Sequence, residues 1–396
     1  MTLPEDIIRV AAKGDGVTAS GRHVAFSAPG DVVLADGSVQ PGPHHATPPC
    51  RHFGRCGGCQ LQHLDEGALA AFVRDLVVLS ALAQGIEAEK VDQPHLSPPC
   101  ARRRATLHAT GQGGRPVIGF RESRSHRIVD LAECHVIRPE LFALVAPLRR
   151  LLATQRGRWA VDVELALTDQ GVDCGLKNFA MEGLEATEAA LEFAKENSLS
   201  RLTVDLGYGA EAIWEPEPVT ITLGTVPVPM PPGAFLQATQ DGEDALVAAA
   251  REWLEPSAGV ADLFAGLGTF AFSLGKPVAA FEAAHDAHLA CRLAASRSTA
   301  PVEAHHRDLF RNPLQPDELA RFDGILLDPP RAGAREQVAR IAESVVERVV
   351  YISCNPASWA KDARTLTDVG FRLAELRPVG QFRWSTHVEL ASLFVR

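Results

Sequence analysis

The chain has 396 residues, 46% of them apolar and 22% charged, with a formal net charge of −10 at pH 7. That length predicts two or three domains and an apolar share ample for at least one full core, while the negative balance argues against general electrostatic attachment to nucleic acid. No charge-free apolar stretch of about 18 residues and no signal-like start is present, and eight cysteines are too few and too unevenly placed for a secreted disulfide framework, so the expectation is a monomeric cytoplasmic protein with no membrane association.

In chain order, the first 46 or so residues show short apolar alternations broken by Gly-Asp-Gly, Ser-Gly and Pro-Gly, as in a small barrel of strands. Three basic and five acidic residues between Met1 and Gln40 make this module a weak RNA binder. Pro41 to Pro49 reads as a linker. Residues 64 to 86 have helical periodicity, and hairpin-like strands follow through Cys134. From about Val226 strands and helices alternate, the signature of an open parallel sheet with helices on both faces. The expected fold is α/β, with domains at 1–46 (β module), 47–225 (central α+β) and 226–396 (catalytic).

Two clusters stand out in the central segment. Cys50, Cys56 and Cys59, with remote Cys134, supply four thiols that suit either a [4Fe-4S] cluster or zinc. Between Cys100 and Arg127 seven arginines face one acid, Glu122. Arg102, Arg103, Arg104, Arg121, Arg124 and Arg127 are the candidate phosphate contacts, against the plainer reading of a solvated hairpin face.

In the last segment the apolar strand GVADLF runs into the glycine turn AGLGT, which lets a ligand approach the backbone. Glu282 closes the next strand, where an acid can accept both hydroxyls of a ribose, and Asp308 follows the third, where an adenine edge would lie. The missing third glycine and the absence of a phosphate-binding lysine disfavour dinucleotides and ATP, leaving S-adenosylmethionine. Asp328-Pro329-Pro330-Arg331 forms a rigid loop at the end of a fourth strand, and Cys354 follows a fifth within SCNP. A cysteine there suits addition to an electron-poor ring, because even a few per cent of thiolate is strongly nucleophilic. The plainer reading of Cys354 is a buried structural thiol.

These runs, with Phe235-Leu236-Gln237 and Thr386-His387-Val388-Glu389, resemble the RNA 5-methyluridine methyltransferases over about Pro231 to Glu389. The cysteine segment is similar to that of the family's iron-sulfur-containing 23S rRNA branch, which the bacterial transfer-RNA branch generally lacks. The resemblance implies a Rossmann-like methyltransferase domain, a TRAM-like N-terminal module and an RNA substrate, ribosomal in preference to transfer RNA. It implies Gln237, Phe264, Thr269, Glu282, Asp308 and Asp328 at the cofactor, Cys354 as nucleophile, Glu389 as base, and a structural [4Fe-4S] cluster on Cys50, Cys56, Cys59 and Cys134. Asp328, protonated or water-bridged, would hold the uracil edge. Departures are Thr269 and Thr239 where the family commonly has asparagine, GQFRWST before His387, and Cys100 where many relatives carry an aromatic residue. The competing readings are a transfer-RNA uracil methyltransferase, a cytosine-5 or exocyclic-amine methyltransferase, and an inactive RNA-binding iron-sulfur protein.

Overall fold

The computed structural model describes residues 4–112, 115–123 and 125–396. Its chain divides into two compact units, each assembled from separated stretches: Met1–Phe72, Ser97–Glu217 and Phe382–Thr386 in one, Val73–Leu96, Pro218–Gln381 and His387–Arg396 in the other. No described helix is long and apolar enough to cross a membrane.

The first unit begins with a curled antiparallel sheet of five short strands, in the spatial order His23–Val24, Gly16–Thr18, Glu5–Val10, Val32–Val33, Val39–Gln40. Its inner face carries Ile7, Val17 and Val33, and the buried Asp31 carboxylate takes hydrogen bonds from the Ala28 and Gly42 amides and pairs with His45 Nδ1 at 2.7 Å. The larger sheet of this unit has six strands, in the order Glu211–Trp214, Arg201–Asp205, Gly171–Lys177, Arg158–Thr168, Arg104–Gln112, Val117–Gly119. Alternation along the middle of Arg158–Thr168 turns Val161, Val163 and Leu165 inward, where they meet Leu107, Ala109 and Ile118 from neighbouring strands and Leu148, Leu152 and Phe193 from the covering helices. Helix Gly183–Glu196 supplies the crossover between the one parallel pair of that sheet, Gly171–Lys177 and Arg201–Asp205.

The second unit is a doubly wound sheet. Its strands run Val302–His306, Val278–Glu282, Val260–Leu263, Gly324–Leu327, Arg348–Ser353, Glu389–Val395, Arg372–Gly380, with Lys90–Val91 and His95–Leu96 both pairing parallel to the last. Counted from Val260–Leu263, the order is 3-2-1-4-5-7-6, and only Glu389–Val395 runs antiparallel to its neighbours. Strands VADL and GILL are buried at every residue, as helices on both faces require. The order reverses between Val260–Leu263 and Gly324–Leu327, so the crevice at their carboxyl ends is where such a sheet binds a ligand. Helix Glu66–Leu82 occupies most of the stretch read as helical, whereas Lys90–Val91 and His95–Leu96 complete the doubly wound sheet rather than a hairpin next to the cysteines.

Candidate active site

The cofactor side of the crevice is built by one tight turn. After strand Val260–Leu263 the chain takes positive φ at Phe264 (67°), Gly266 (57°) and Gly268 (94°) before helix Thr269–Ser273 begins. A β-carbon on Gly268 would lie 2.6 Å from the Phe272 ring, so only glycine closes this turn. The Glu282 carboxylate, at the end of the next strand, is fixed by the Gly266 amide at 2.8 Å and the Ala284 amide at 2.6 Å. Two amides leave lone pairs of a carboxylate free for a diol. Asp308 Oδ1 accepts the Phe310 and Arg311 amides, and the Phe264 and Phe310 rings stand 5.3 Å apart beside it. Beneath the turn, Asp262 is fully buried with Oδ2 accepting the Ala271 amide at 3.1 Å. Its Oδ1 has no partner among the described residues, and burial pushes its carboxyl up to about 7.

The reaction side is set by strand register. Ser353 pairs with Leu390 across the antiparallel ladder, so the next pair in register is Cys354 and Glu389. Asp328 directly follows Gly324–Leu327 on the other flank of Arg348–Ser353, where Leu327 pairs with Tyr351. The Asp-Pro-Pro-Arg loop is held by Asn355 Nδ2 and Ser358 Oγ, which donate to the Arg331 carbonyl at 2.9 and 3.0 Å. Asp362 Oδ2 accepts from the Ala334 amide at 2.7 Å and the Tyr351 hydroxyl at 2.6 Å. Asn355 caps helix Pro356–Thr367, which leaves half-buried Cys354 at the strand-to-helix corner. Burial pushes the Cys354 thiol up to about 11, with the Glu389 and Asp328 carboxyls raising it further and Arg331 opposing them. Burial raises Asp328 well above its ordinary carboxylate value, with Glu389 and Asp262 raising it further.

Gln237 and Glu389, 3% and 4% exposed, are joined by a residue to which sequence reasoning gave no role. Gln381 Nε2 donates to Gln237 Oε1 at 2.9 Å and to Glu389 Oε2, while its Oε1 accepts the Thr239 amide at 3.3 Å. Gln237 Nε2 reaches Asp328 Oδ2 at 3.4 Å. Gln381 was visible only as a departure inside GQFRWST, and Asp262 only as the first letter of DLFAGLGT.

In the first unit, Cys50, Cys56, Cys59 and Cys134 line one cavity with His52, Phe53 and Phe120. Burial raises the Cys56 and Cys134 thiols and pushes Cys59 up to about 12. Among the described residues no three His, Cys, Asp or Glu side chains close on a single metal-ion position. Cys174 and Cys291 are buried.

Among the described arginines, Arg103 breaks the expected row of phosphate contacts. Arg103 is only 4% exposed and continues the inward-facing series Ala105, Leu107 and Ala109. Side chains alternate along a strand, so three consecutive arginines cannot all face solvent. Half-buried Arg104 points the other way, and Arg102 lines the cysteine cavity, its guanidinium 5.3 Å from the Phe382 ring centre. Burial holds Arg102 below its usual pKa. Arg121 and Arg127 are exposed, and Arg124 lies outside the described residues.

The family model described as tRNA (Uracil-5-)-methyltransferase matches residues 280–396. The chain is 48% identical to an uncharacterized RNA methyltransferase of Zymomonas mobilis subsp. mobilis over 98% of this chain and 99% of that protein. It is 33% identical to the 23S rRNA (uracil(1939)-C(5))-methyltransferase RlmD of Chromohalobacter salexigens, over 89% of this chain and 77% of that protein. The chain belongs to the RNA uracil-C5 methyltransferase family. Its fold matches the Pyrococcus abyssi tRNA (uracil-54, C5)-methyltransferase, solved with S-adenosyl-L-homocysteine, with a TM-score of 0.75 and 23% identity over 99% of this chain and all of that one. Within this uracil-C5 methyltransferase the threonine at 239 has a structural task of its own, since its side chain caps helix Gln240–Trp253 by accepting the Gly242 amide at 3.1 Å.

Proposed function

We propose that this chain methylates carbon 5 of a uridine in 23S rRNA with S-adenosylmethionine, Cys354 acting as nucleophile and Glu389 as base. The observation that supports the assignment is the ladder pair Ser353–Leu390, whose continuation brings Cys354 and Glu389 to one end of the sheet, with Asp328 following the adjacent strand. The residues on the cofactor side fit that ligand. Gln237, Asp262, Glu282 and Asp308 present carboxylates and an amide, which suit a cationic ligand with a ribose. When bound, S-adenosylmethionine supplies an electrophilic methyl group on a positively charged sulfur.

Cys354, its thiol proton released to solvent, adds through Sγ to carbon 6 of the uracil, and the electron pair displaced from the ring double bond makes carbon 5 nucleophilic. Asp328, protonated, donates to the uracil carbonyl on which charge develops. After methylation Glu389 removes the proton from carbon 5. That bonding pair re-forms the ring double bond, and the carbon 6–sulfur bond breaks with its electrons returning to Cys354.

Cys50, Cys56, Cys59 and Cys134 are assigned to a [4Fe-4S] cluster. Support comes from the four thiols lining one cavity, the donor set that a cysteine-held cluster uses. Arg121 and Arg127 are assigned to the RNA backbone because they face solvent. The ribosomal substrate is favoured by the 33% identity to a 23S rRNA enzyme over 89% of the chain.

The test is covalent trapping. A 23S rRNA transcript containing 5-fluorouridine should form a denaturation-resistant complex with the wild type and none with Cys354→Ala, because fluorine cannot leave as a proton. Methylation by Cys354→Ala would overturn the assignment. Trapping by a fluorinated transfer-RNA transcript instead would move the substrate to transfer RNA.

A further inference from the structure

Gln381 touches both halves of the chemistry. It is 1% exposed, follows the end of strand Arg372–Gly380, and sits where Val379 pairs with Glu389. One amide nitrogen serves two acceptors, Gln237 Oε1 at 2.9 Å and Glu389 Oε2, and the amide oxygen is held by the Thr239 backbone at 3.3 Å. Thr239 in turn caps helix Gln240–Trp253, so the orientation of the Gln381 amide is fixed by a helix terminus. With its oxygen committed to a backbone N–H, the amide must point its NH₂ at Glu389.

We infer that Gln381 is a positioning residue that holds Glu389 ready to take the carbon 5 proton and ties it through Gln237 to the cofactor crevice. The inference rests on Glu389 being the base. A carboxylate buried at 4% exposure needs a donor to fix both its charge and its direction, and Gln381 supplies a donor that moves only if Gln237 or Thr239 moves. Addition of Cys354 and methyl transfer precede any use of Glu389, so loss of Gln381 should leave those steps running and delay elimination. The product still bonded to Cys354 then accumulates.

The experiment is a single turnover on a 23S rRNA transcript carrying [5-³H]uridine, with carbon-14 in the donated methyl group. It compares wild type, Gln381→Ala, Gln381→Glu and Glu389→Gln. Methyl incorporation reports transfer, tritium in water reports proton removal, and a denaturing gel reports the adduct. Because both labels come from the same turnovers, their ratio does not depend on how much of a variant is folded. Wild type should release tritium in step with methylation. Gln381→Ala and Gln381→Glu should lower the rate of release relative to transfer by about tenfold to a hundredfold, with the adduct visible. If Glu389→Gln accumulates adduct while both Gln381 variants keep the two labels in step, the positioning role is wrong and Glu389 remains the base. If Glu389→Gln accumulates none, the base assignment itself falls and this inference with it.

Discussion

At neutral pH the resting thiol of Cys354 is almost wholly protonated, which makes its alkylation a sharp test of the site's electrostatics. Burial, Glu389 and Asp328 together carry it from the usual 9.0 up to about 11. At pH 7.5 a thiol at 11 is about 0.03% ionised and one at 9.0 about 3%, a difference on the order of a hundredfold in the reactive form. Iodoacetamide should therefore modify Cys354 with a rate that climbs tenfold per pH unit and shows no plateau below about pH 10. The tryptic peptide Val349–Lys361 contains no other cysteine, so mass spectrometry isolates this thiol from the remaining seven. Glu389→Gln should raise the rate at pH 7.5, and Arg331→Ala should lower it, because the first removes a neighbour that disfavours the thiolate and the second removes one that favours it. A plateau at or below pH 8 would refute the reasoning. The outcome also bears on catalysis: a thiol this resistant must lose its proton as the uracil arrives, rather than waiting as the few per cent of thiolate that an exposed cysteine would offer.

Anaerobic purification should give a brown protein with about four irons per chain, and Cys56→Ser should lose the colour; stoichiometric zinc without iron in the same preparation would refute the cluster. Arg121→Ala and Arg127→Ala should each flatten the salt dependence of RNA binding by about 0.7 in log-log slope, as loss of one phosphate contact on a single strand requires. Arg103→Ala, by contrast, should lower the melting temperature and leave the slope alone, since Arg103 is buried on the core side of its strand. An unchanged slope in the two exposed-arginine variants would place the RNA surface elsewhere.

What the sequence determined by itself is the set of groups standing at the carboxyl ends of strands. Glu282 and Asp328 follow a short apolar run directly and Cys354 follows one after a single serine, and in a parallel sheet a residue just beyond such a run is delivered to the crevice whatever the rest of the chain does. The glycine turn before Thr269 is legible for the same local reason, and so is the similarity that gives those positions their roles. Tertiary structure alone decided which of them meet. Cys354 and Glu389 are 35 residues apart, and they face each other only because the last strand enters antiparallel in one register, which a slip of one residue would undo. The ladder on the other side of that strand, where Val379 pairs with Glu389, brings Gln381 to Glu389, a contact that nothing in GQFRWST announces. Lys90–Val91 and His95–Leu96 join a strand some 285 residues further on, and two-residue strands carry too little periodicity to reveal their partner. Arg103 shows the limit from the opposite side: composition marks three adjacent arginines as a surface, but the two-residue repeat of the strand turns the middle one into the core.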